Sequence, residues 1–203
     1  MTPEELSQEL LSRLRAAVLN ETVLTKVGEK VIVLIKKRVR EGIFLEGSSP
    51  DAGRYSTNPA TMPLGAFRAK MGKGRFGKFA RQKGESPSLL KQEGRIYKKA
   101  GMVWYSLTGG YKRLRELAGK ESDHVTLNWT GSMMKSLIKI DVKSSDTGAT
   151  VEISFSDYRS AEIAAFHHEG AGKSRKKRIF MALTEEEIAK VAKTYASQIR
   201  LDF

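Results

Sequence analysis

The sequence has no cysteine, which excludes disulfides, thiolate metal sites and cysteine nucleophiles. This absence is consistent with a reducing compartment. Long hydrophobic runs are also lacking. The purest one, residues 31–35 (VIVLI), is far shorter than the roughly 20 residues that a membrane helix needs. The acidic start, MTPEE, does not have the basic and apolar pattern of a signal peptide. We therefore expect a soluble protein, made in the cytoplasm and without a membrane partner.

Histidine is scarce, with only His124, His167 and His168. Neighbouring residues on a helix point about 100° apart, so His167 and His168 are badly placed to share a metal ion, and we expect a surface or interface role for them. The glycine-rich run Gly72–Gly77 has no apolar strand before it and no helix after it, as a phosphate loop would need. The motifs G-x-S-x-G, Walker A and H-E-x-x-H do not occur. We predict that the protein is not an enzyme and has no catalytic residues, no cofactor and no metal.

Acidic residues are nearly missing from the middle of the chain. Between Arg54 and Arg115 there are fifteen lysines and arginines but only two acidic residues, Glu85 and Glu93. The rest of the chain has equal numbers of both signs, so this stretch carries the whole net charge of +13. A charge concentrated in this way predicts a partner of the opposite sign.

Within residues 64–84 the basic side chains are interleaved with Phe67, Phe76 and Phe79. This composition is typical of proteins that bind phosphate backbones and stack on bases. It also suits a solvated arm that binds an acidic protein surface, and the sequence leaves both partners open. The predicted contact residues are Arg68, Lys70, Lys73, Arg75, Lys78, Arg81 and Lys83.

Helical and strand periods are clear on both sides of this stretch. Two N-terminal helices are predicted, the second from Glu21 to Glu41, and a C-terminal helix begins with the capping box Thr184–Glu187. Residues 137–155 alternate apolar and polar around a turn, which predicts a β-hairpin. The predicted fold class is therefore α+β, with an antiparallel sheet packed against a long N-terminal helix and a C-terminal helix.

Residues 43–110 show no sustained period and contain four of the five prolines. A loop this long is rare inside a compact domain, so we interpret it as a basic arm that is ordered mainly by partners. A short strand at 101–108 is predicted to close it, followed by a short helix at 112–118 and a brief strand at 125–127. The predicted organisation is a single domain over 1–203, with N-terminal helices in 1–42, the arm insertion in 43–110 and an α+β core in 111–203.

Three motifs follow one another in the C-terminal part of the chain. Residues 127–136 (LNWTGSMMKS) fit L-x-x-T-G-x-M-x-x-S, residues 167–170 (HHEG) fit H-x-x-G, and residues 178–187 (RIFMALTEEE) fit R-x-F-x-x-L-T-x-x-E. In this order they resemble the core of the neck proteins of tailed bacteriophages, the virion-morphogenesis and tail-completion family. The N-terminal helices ahead of a loop are similar to that family as well.

The resemblance implies a non-catalytic structural subunit of the virion neck, assembled in the cytoplasm of an infected bacterium. It implies a homo-oligomeric ring at the head–tail junction, six-fold by preference and twelve-fold as the alternative. The implied partners are the head connector or stopper and the tail tube or tail terminator. The basic arm would reach neighbouring subunits, those proteins or packaged DNA. The alternative function is a nucleic-acid-binding module that uses residues 54–115.

The motif residues are expected to have structural roles. A tight turn at Thr130 and Gly131 would start the hairpin, since glycine adopts backbone angles that other residues resist. Arg178 would anchor the final loop by a bidentate contact with a carboxylate. The positions that match the family motifs are Thr130, Gly131, His167, Gly170, Arg178 and Phe180.

Overall fold

The computed structural model describes residues 3–81, 88–127, 131–145, 148–171 and 175–199. It is an α+β structure with antiparallel sheets, a long N-terminal helix and a C-terminal helix, which confirms the predicted fold class. The chain divides into two compact units. Unit 1 comprises Met1–Ala52 and Thr130–Phe203, and unit 2 comprises Gly53–Trp129.

Unit 1 contains five helices and one two-stranded sheet among its described residues. They are α1 (Pro3–Val18), α2 (Glu21–Arg40), α7 (Ser132–Ser136), β4 (Leu137–Ser145), β5 (Gly148–Phe155), α8 (Tyr158–Glu169) and α9 (Glu185–Gln198). Helices α3 to α6 and strands β1 to β3 belong to unit 2 and are described below with their bounds. The predicted second helix, hairpin and C-terminal helix are all confirmed within one or two residues of their bounds.

Helix α2 lies on the hairpin and forms the centre of unit 1. Its start is capped by Asn20, whose side chain accepts a hydrogen bond from the Val23 amide at 3.2 Å. The buried side of the helix consists of Leu24, Gly28, Ile32, Ile35 and Val39, which are spaced by three or four residues, together with Arg38. A Cβ atom on Gly28 would lie 2.8 Å from Ile140 of β4. The absence of a side chain at Gly28 therefore sets the close approach of α2 to the sheet.

The hairpin and the last helix follow the signals in the sequence. Strands β4 and β5 pair antiparallel, with Ile140 opposite Ile153 and Val142 opposite Val151, so these four residues share one face. Ile138 lies at a register shift of β4 and is exposed. Thr184 and Glu187 form the predicted capping box at the start of α9, each side chain accepting from the other residue's backbone amide. Helix α9 packs against α2.

Unit 2 is built from short elements around a three-stranded antiparallel sheet with strand order β1-β3-β2. The elements are β1 (Ala60–Pro63), α3 (Leu64–Met71), α4 (Lys73–Ala80), α5 (Leu89–Gln92), β2 (Gly94–Lys99), β3 (Met102–Leu107) and α6 (Gly110–Leu117). The strand predicted at 101–108 and the helix predicted at 112–118 are confirmed by β3 and α6. Residues 125–127 are not a strand, and this prediction is wrong: the Val125 amide donates to the Gly53 carbonyl instead of joining a sheet.

The expectation of an arm without regular structure over 43–110 is also wrong. Phe67 and Phe79 are 0% and 3% exposed, and both pack with Tyr105 of β3. The ring centroids of Phe67 and Phe79 are 5.7 Å apart, and those of Phe67 and Tyr105 are 4.6 Å apart. Met71, Leu90, Leu107 and Leu114 complete this core. The helical period is hidden in the sequence because Gly72 divides it between two helices of only eight residues each.

A buried ion pair joins the two chain segments of unit 1. The Arg38 guanidinium binds the Glu187 carboxylate and also donates to the backbone carbonyls of Phe180, at 2.7 Å, and Ala182, at 2.6 Å. Burial lowers the pKa of Arg38, and the Glu187 carboxylate opposes this shift. One arginine therefore holds α2, α9 and the loop between α8 and α9 together.

We expect Arg38→Met and Glu187→Gln each to lower the free energy of unfolding by about 3–5 kcal/mol, because each leaves a buried group without its partner. Glutamine is chosen at 187 because it preserves the capping box. The double variant should lose less free energy of unfolding than the two single variants together, which corresponds to a coupling energy of about 1–3 kcal/mol. The measurement is urea unfolding followed by circular dichroism.

The matched control is the exposed pair of the same unit, Lys143 and Glu152, whose side chains are in contact at 2.8 Å. The cycle of Lys143→Met and Glu152→Gln should give a coupling energy below about 1 kcal/mol. Additive losses at Arg38 and Glu187 would contradict the role given to the buried pair.

Candidate interaction surface

Helices α3 and α4 bury apolar side chains and expose basic ones. Phe67, Met71 and Phe79 point into the core of unit 2 and leave the basic residues between them on the outside. Six of the seven predicted contact residues are exposed on these helices or directly after them: Arg68, Lys70, Lys73, Arg75, Lys78 and Arg81. Lys83, the seventh, lies outside the described residues. The helices thus present a preformed cationic face rather than a mobile arm.

Unit 2 carries nearly all of the net charge of the chain. Its residues 53–129 contain sixteen lysines and arginines against five aspartates and glutamates, which is a net charge of +11. Two of the five acids are engaged by one arginine: Arg113 binds Glu93 through Nε at 2.9 Å and Glu116 through a terminal nitrogen at 2.8 Å. Hydrogen bonds to these two carboxylates raise the pKa of Arg113. Glu93 and Glu116 therefore contribute little to neutralising the cationic face.

An apolar groove borders this face. It has a volume of about 400 Å³ and is lined mainly by Leu64, Phe76, Met102 and Val103. The Arg68 guanidinium belongs to the lining and lies 5.8 Å from the centre of the Phe76 ring, within cation–π distance. The groove therefore offers an apolar floor with a positive charge on its wall.

The hairpin of β2 and β3 extends the cationic face, and its residues were not among the predicted contacts. Strand β1 pairs only with residues 104–107 of β3, so the tip of the hairpin has no third strand. The exposed residues of this hairpin include Arg95, Ile96, Lys98, Lys99 and Met102. A protruding hairpin of this composition can contact a partner with both charged and apolar side chains.

The signal for this hairpin is present in the sequence. Ala100 and Gly101 form a two-residue loop, and both have positive φ, 49° and 73°. Positive φ at both positions is the geometry of a type I′ turn, which matches the twist of the flanking strands. A glycine at the second position between two short runs with β-branched and aromatic residues indicates such a hairpin.

Two of the three phenylalanines expected to stack on bases are unavailable for stacking. Phe67 and Phe79 are core residues, and only Phe76, which is half-buried, reaches the groove. This corrects the interpretation of interleaved aromatics as a stacking platform. The aromatic residues fold unit 2, and the contacts available at its surface come from the cations, the groove and the hairpin.

The first family motif lies where unit 1 enters its hairpin. Gly131 has φ 80° and precedes the short helix α7, which leads directly into β4. A left-handed backbone at this position favours glycine. Thr130 lies outside the described residues. The predicted turn is therefore present at Gly131, but a helical turn separates it from the hairpin.

The second and third motifs meet at the loop between α8 and α9. Gly170, with φ 72°, ends α8, and its amide donates to the Phe166 carbonyl. The His168 Nε2 atom accepts from the amides of Phe180 and Met181 at 3.3 and 3.1 Å, and its ring lies 4.9 Å from that of Phe180. His168 is half-buried and helps to fix the loop within unit 1, and the surface or interface role of the two histidines stays a prediction.

Arg178 is a buried residue of this loop. Its Nε donates to the backbone carbonyl of Ala52 at 2.9 Å, and its own amide donates to the His167 carbonyl at 2.7 Å. The bidentate contact with a carboxylate that was expected for Arg178 stays a prediction. These two hydrogen bonds connect the loop to Ala52 and to the end of α8.

Among the described residues, no group of three histidine, aspartate or glutamate side chains could hold a metal ion. None of the helices within those residues is long and apolar enough to cross a membrane. No protein-family model, curated protein or solved structure matches the chain. The chemistry of the two units therefore provides the basis for a functional assignment.

Acid should destabilise unit 1 through His167. Burial lowers its pKa to about 4, and the positive charge of Arg178 acts in the same direction. The folded state therefore favours the neutral ring, so its contribution to stability is complete above pH 6.5 and is lost as the pH falls from 6.5 towards about 4. Between pH 8 and pH 5 this loss amounts to about 2 kcal/mol.

The measurement compares His167→Gln with the wild type in urea unfolding at both pH values. Between pH 8 and pH 5 the free energy of unfolding of the variant should fall by about 2 kcal/mol less than that of the wild type, because glutamine does not titrate. Fluorescence of Trp104 and Trp129, which both belong to unit 2, gives an internal reference, and circular dichroism follows the helices of both units together. Parallel pH dependences of the two proteins would refute this role of His167.

Proposed function

We propose that the chain is a structural subunit of a tailed-phage neck that forms a homo-oligomeric ring at the head–tail junction. The observation that carries the proposal is that the structural motif residues and the exposed cationic surface lie in different units. Of the residues of the three ordered motifs, Gly131, Gly170 and Arg178 lie at turns or in a loop of unit 1, whereas unit 2 has the groove, the protruding hairpin and most of the net positive charge. A subunit of a virion neck needs a unit of fixed shape together with exposed surfaces that its neighbours can contact.

The motif residues support a structural rather than a chemical task. Gly131 and Gly170 provide left-handed backbone positions. The His167 carbonyl accepts from the Arg178 amide, and the Arg178 side chain donates to the Ala52 carbonyl of the same unit. All of these contacts are intramolecular and fix the path of the chain. Motif positions that preserve one shape are what an assembly requires, since every copy must present the same surfaces.

Exposed apolar residues support assembly with further copies or with other neck proteins. Helix α1 leaves Leu10, Leu11 and Leu14 exposed on its surface, and the hairpin of unit 2 exposes Ile96 and Met102. Clusters of this kind are usually covered in a complex. The proposed partners are neighbouring subunits, the head connector or stopper, and the tail tube or tail terminator.

The proposal predicts that the purified chain forms closed rings. Native mass spectrometry and negative-stain images should give one ring size, six subunits by preference and twelve as the alternative, either alone or after addition of tail tubes. In a phage that lacks this gene, heads and tails should accumulate unjoined, and joining should return when the chain is supplied. A chain that stays monomeric at all concentrations and on added tail tubes would refute the proposal.

Binding of nucleic acid is the second candidate function, and one observation favours it. Within the described part of the chain, no carboxylate lies within ion-pair distance of five cations on α3 and α4 or directly after them: Arg68, Lys73, Arg75, Lys78 and Arg81. Cations that are already exposed and unpaired can bind phosphates by releasing counterions. In this function the cations would bind packaged DNA in the channel of a ring, or a nucleic acid in another setting.

The test uses Lys73→Gln, Lys78→Gln and Arg81→Gln together, since deletion of the whole segment would remove Phe67 and Phe79 from the core. Affinity for a 30-base-pair duplex should fall, and the slope of log affinity against log salt should become shallower by about 3, or about 0.9 for each lost phosphate contact. The control changes three exposed lysines of unit 1, Lys135, Lys190 and Lys193, to glutamine. Equal slopes for both triple variants, or no binding by the wild type at low salt, would exclude this function.

A further inference from the structure

Helix α8 exposes two large aromatic side chains on one face. Tyr158 is 83% exposed and Phe166 is 48% exposed. They are eight residues apart with Glu162 midway, so all three lie along the same side of the helix. The two aromatic residues are separated by about 12 Å along the helix axis. Exposed aromatic residues at this spacing are typical anchors of a protein interface.

The same face carries two carboxylates. Glu162 and Glu169 are exposed on the side of α8 that carries Tyr158 and Phe166. Arg159 is the one arginine or lysine within Tyr158–Glu169, and it lies at the edge of this side. The face therefore combines aromatic anchors with two carboxylates and one guanidinium.

The groove and hairpin of unit 2 have the opposite properties. The apolar groove between Phe76, Met102 and Val103 has about 400 Å³ of space, enough to accept an aromatic side chain. Arg68 lies in its wall, and the hairpin beside it carries Lys98 and Lys99. Positive charge and a concave apolar surface thus occur together, as negative charge and convex aromatic residues do on α8.

We propose that α8 of one copy docks on the groove and the β2–β3 hairpin of a second copy. Tyr158 or Phe166 fills the groove, and Glu162 and Glu169 face the lysines of the hairpin. The two surfaces are different patches of the same chain, so the contact is head-to-tail and generates either a ring or a filament. This inference rests on the proposed ring and names the surfaces that close it.

Charge complementarity is the reason for choosing a second copy as the occupant. Unit 2 has a net charge of +11, and the α8 face supplies acidic side chains with apolar anchors on the same protein. A nucleic acid would match the charge of Lys98 and Lys99 but not the apolar groove beside them. A partner that carries both features is therefore favoured.

The experiment exchanges the charges of the two surfaces. Lys98→Glu with Lys99→Glu should reduce self-association at least about tenfold in sedimentation velocity, and Glu162→Lys with Glu169→Lys should do the same, because each places like charges across the contact. An equimolar mixture of the two double variants should recover assembly with strictly alternating subunits, since each surface then meets its opposite. The chain with all four substitutions should associate with itself.

Two further variants separate charge from packing and from folding. Phe166→Ala should weaken association about tenfold at every salt concentration, because it removes an apolar anchor. Lys190→Glu with Lys193→Glu, which reverses two exposed charges on α9, should leave association unchanged. Circular dichroism of each variant verifies that it is folded.

The outcomes distinguish this inference from the proposed function. Rings of the wild type that persist in both charge-reversal variants would overturn the docking of α8 while the neck function stands. Failure of the mixture to assemble would also overturn it. A wild-type chain that never associates would overturn both, and loss of duplex binding without loss of association in Lys98→Glu with Lys99→Glu would identify nucleic acid as the occupant.

Discussion

The ion pair between Arg38 and Glu187 is the contact on which unit 1 depends. The two residues are 149 positions apart, because the whole of unit 2 lies between the two segments that build unit 1. Closing a loop of this length has an entropic cost, which the contacts between α2 and α9 must offset. A buried guanidinium without its carboxylate is strongly unfavourable, so the pair also penalises any arrangement in which α9 is displaced. It specifies where the C-terminal segment returns to α2.

The loop that carries the third motif is fixed around this pair. Glu187 caps α9 and neutralises Arg38, while Arg38 donates to the carbonyls of Phe180 and Ala182. His168 accepts from the amides of Phe180 and Met181 in the same loop. Two motif residues, Phe180 and Glu187, are therefore held by Arg38 and His168, which lie outside the motif positions.

Local signals made unit 1 predictable from the sequence, and their absence hid unit 2. The β4–β5 hairpin has an uninterrupted alternation, and α9 has a complete capping box. In unit 2, by contrast, Phe67 and Tyr105 pack together in the core although they are 38 positions apart. The helices of this unit have only four to eight residues and its strands four to six. On α2, two of the buried residues are Gly28 and Arg38. A glycine needed for close approach and a buried arginine carry no hydrophobic signal.

A folded unit 2 changes the physical argument for assembly. A disordered arm would lose conformational entropy on binding, whereas the cations of α3, α4 and the hairpin are already positioned. Exposed ion pairs contribute little to affinity, so the lysines can guide and orient a partner but cannot hold it alone. Affinity must then come from apolar contact, and the groove beside Phe76 and Met102 is the feature of this face that can supply it. The proposal of a partner therefore rests on exposed apolar surface beside charge, not on missing structure.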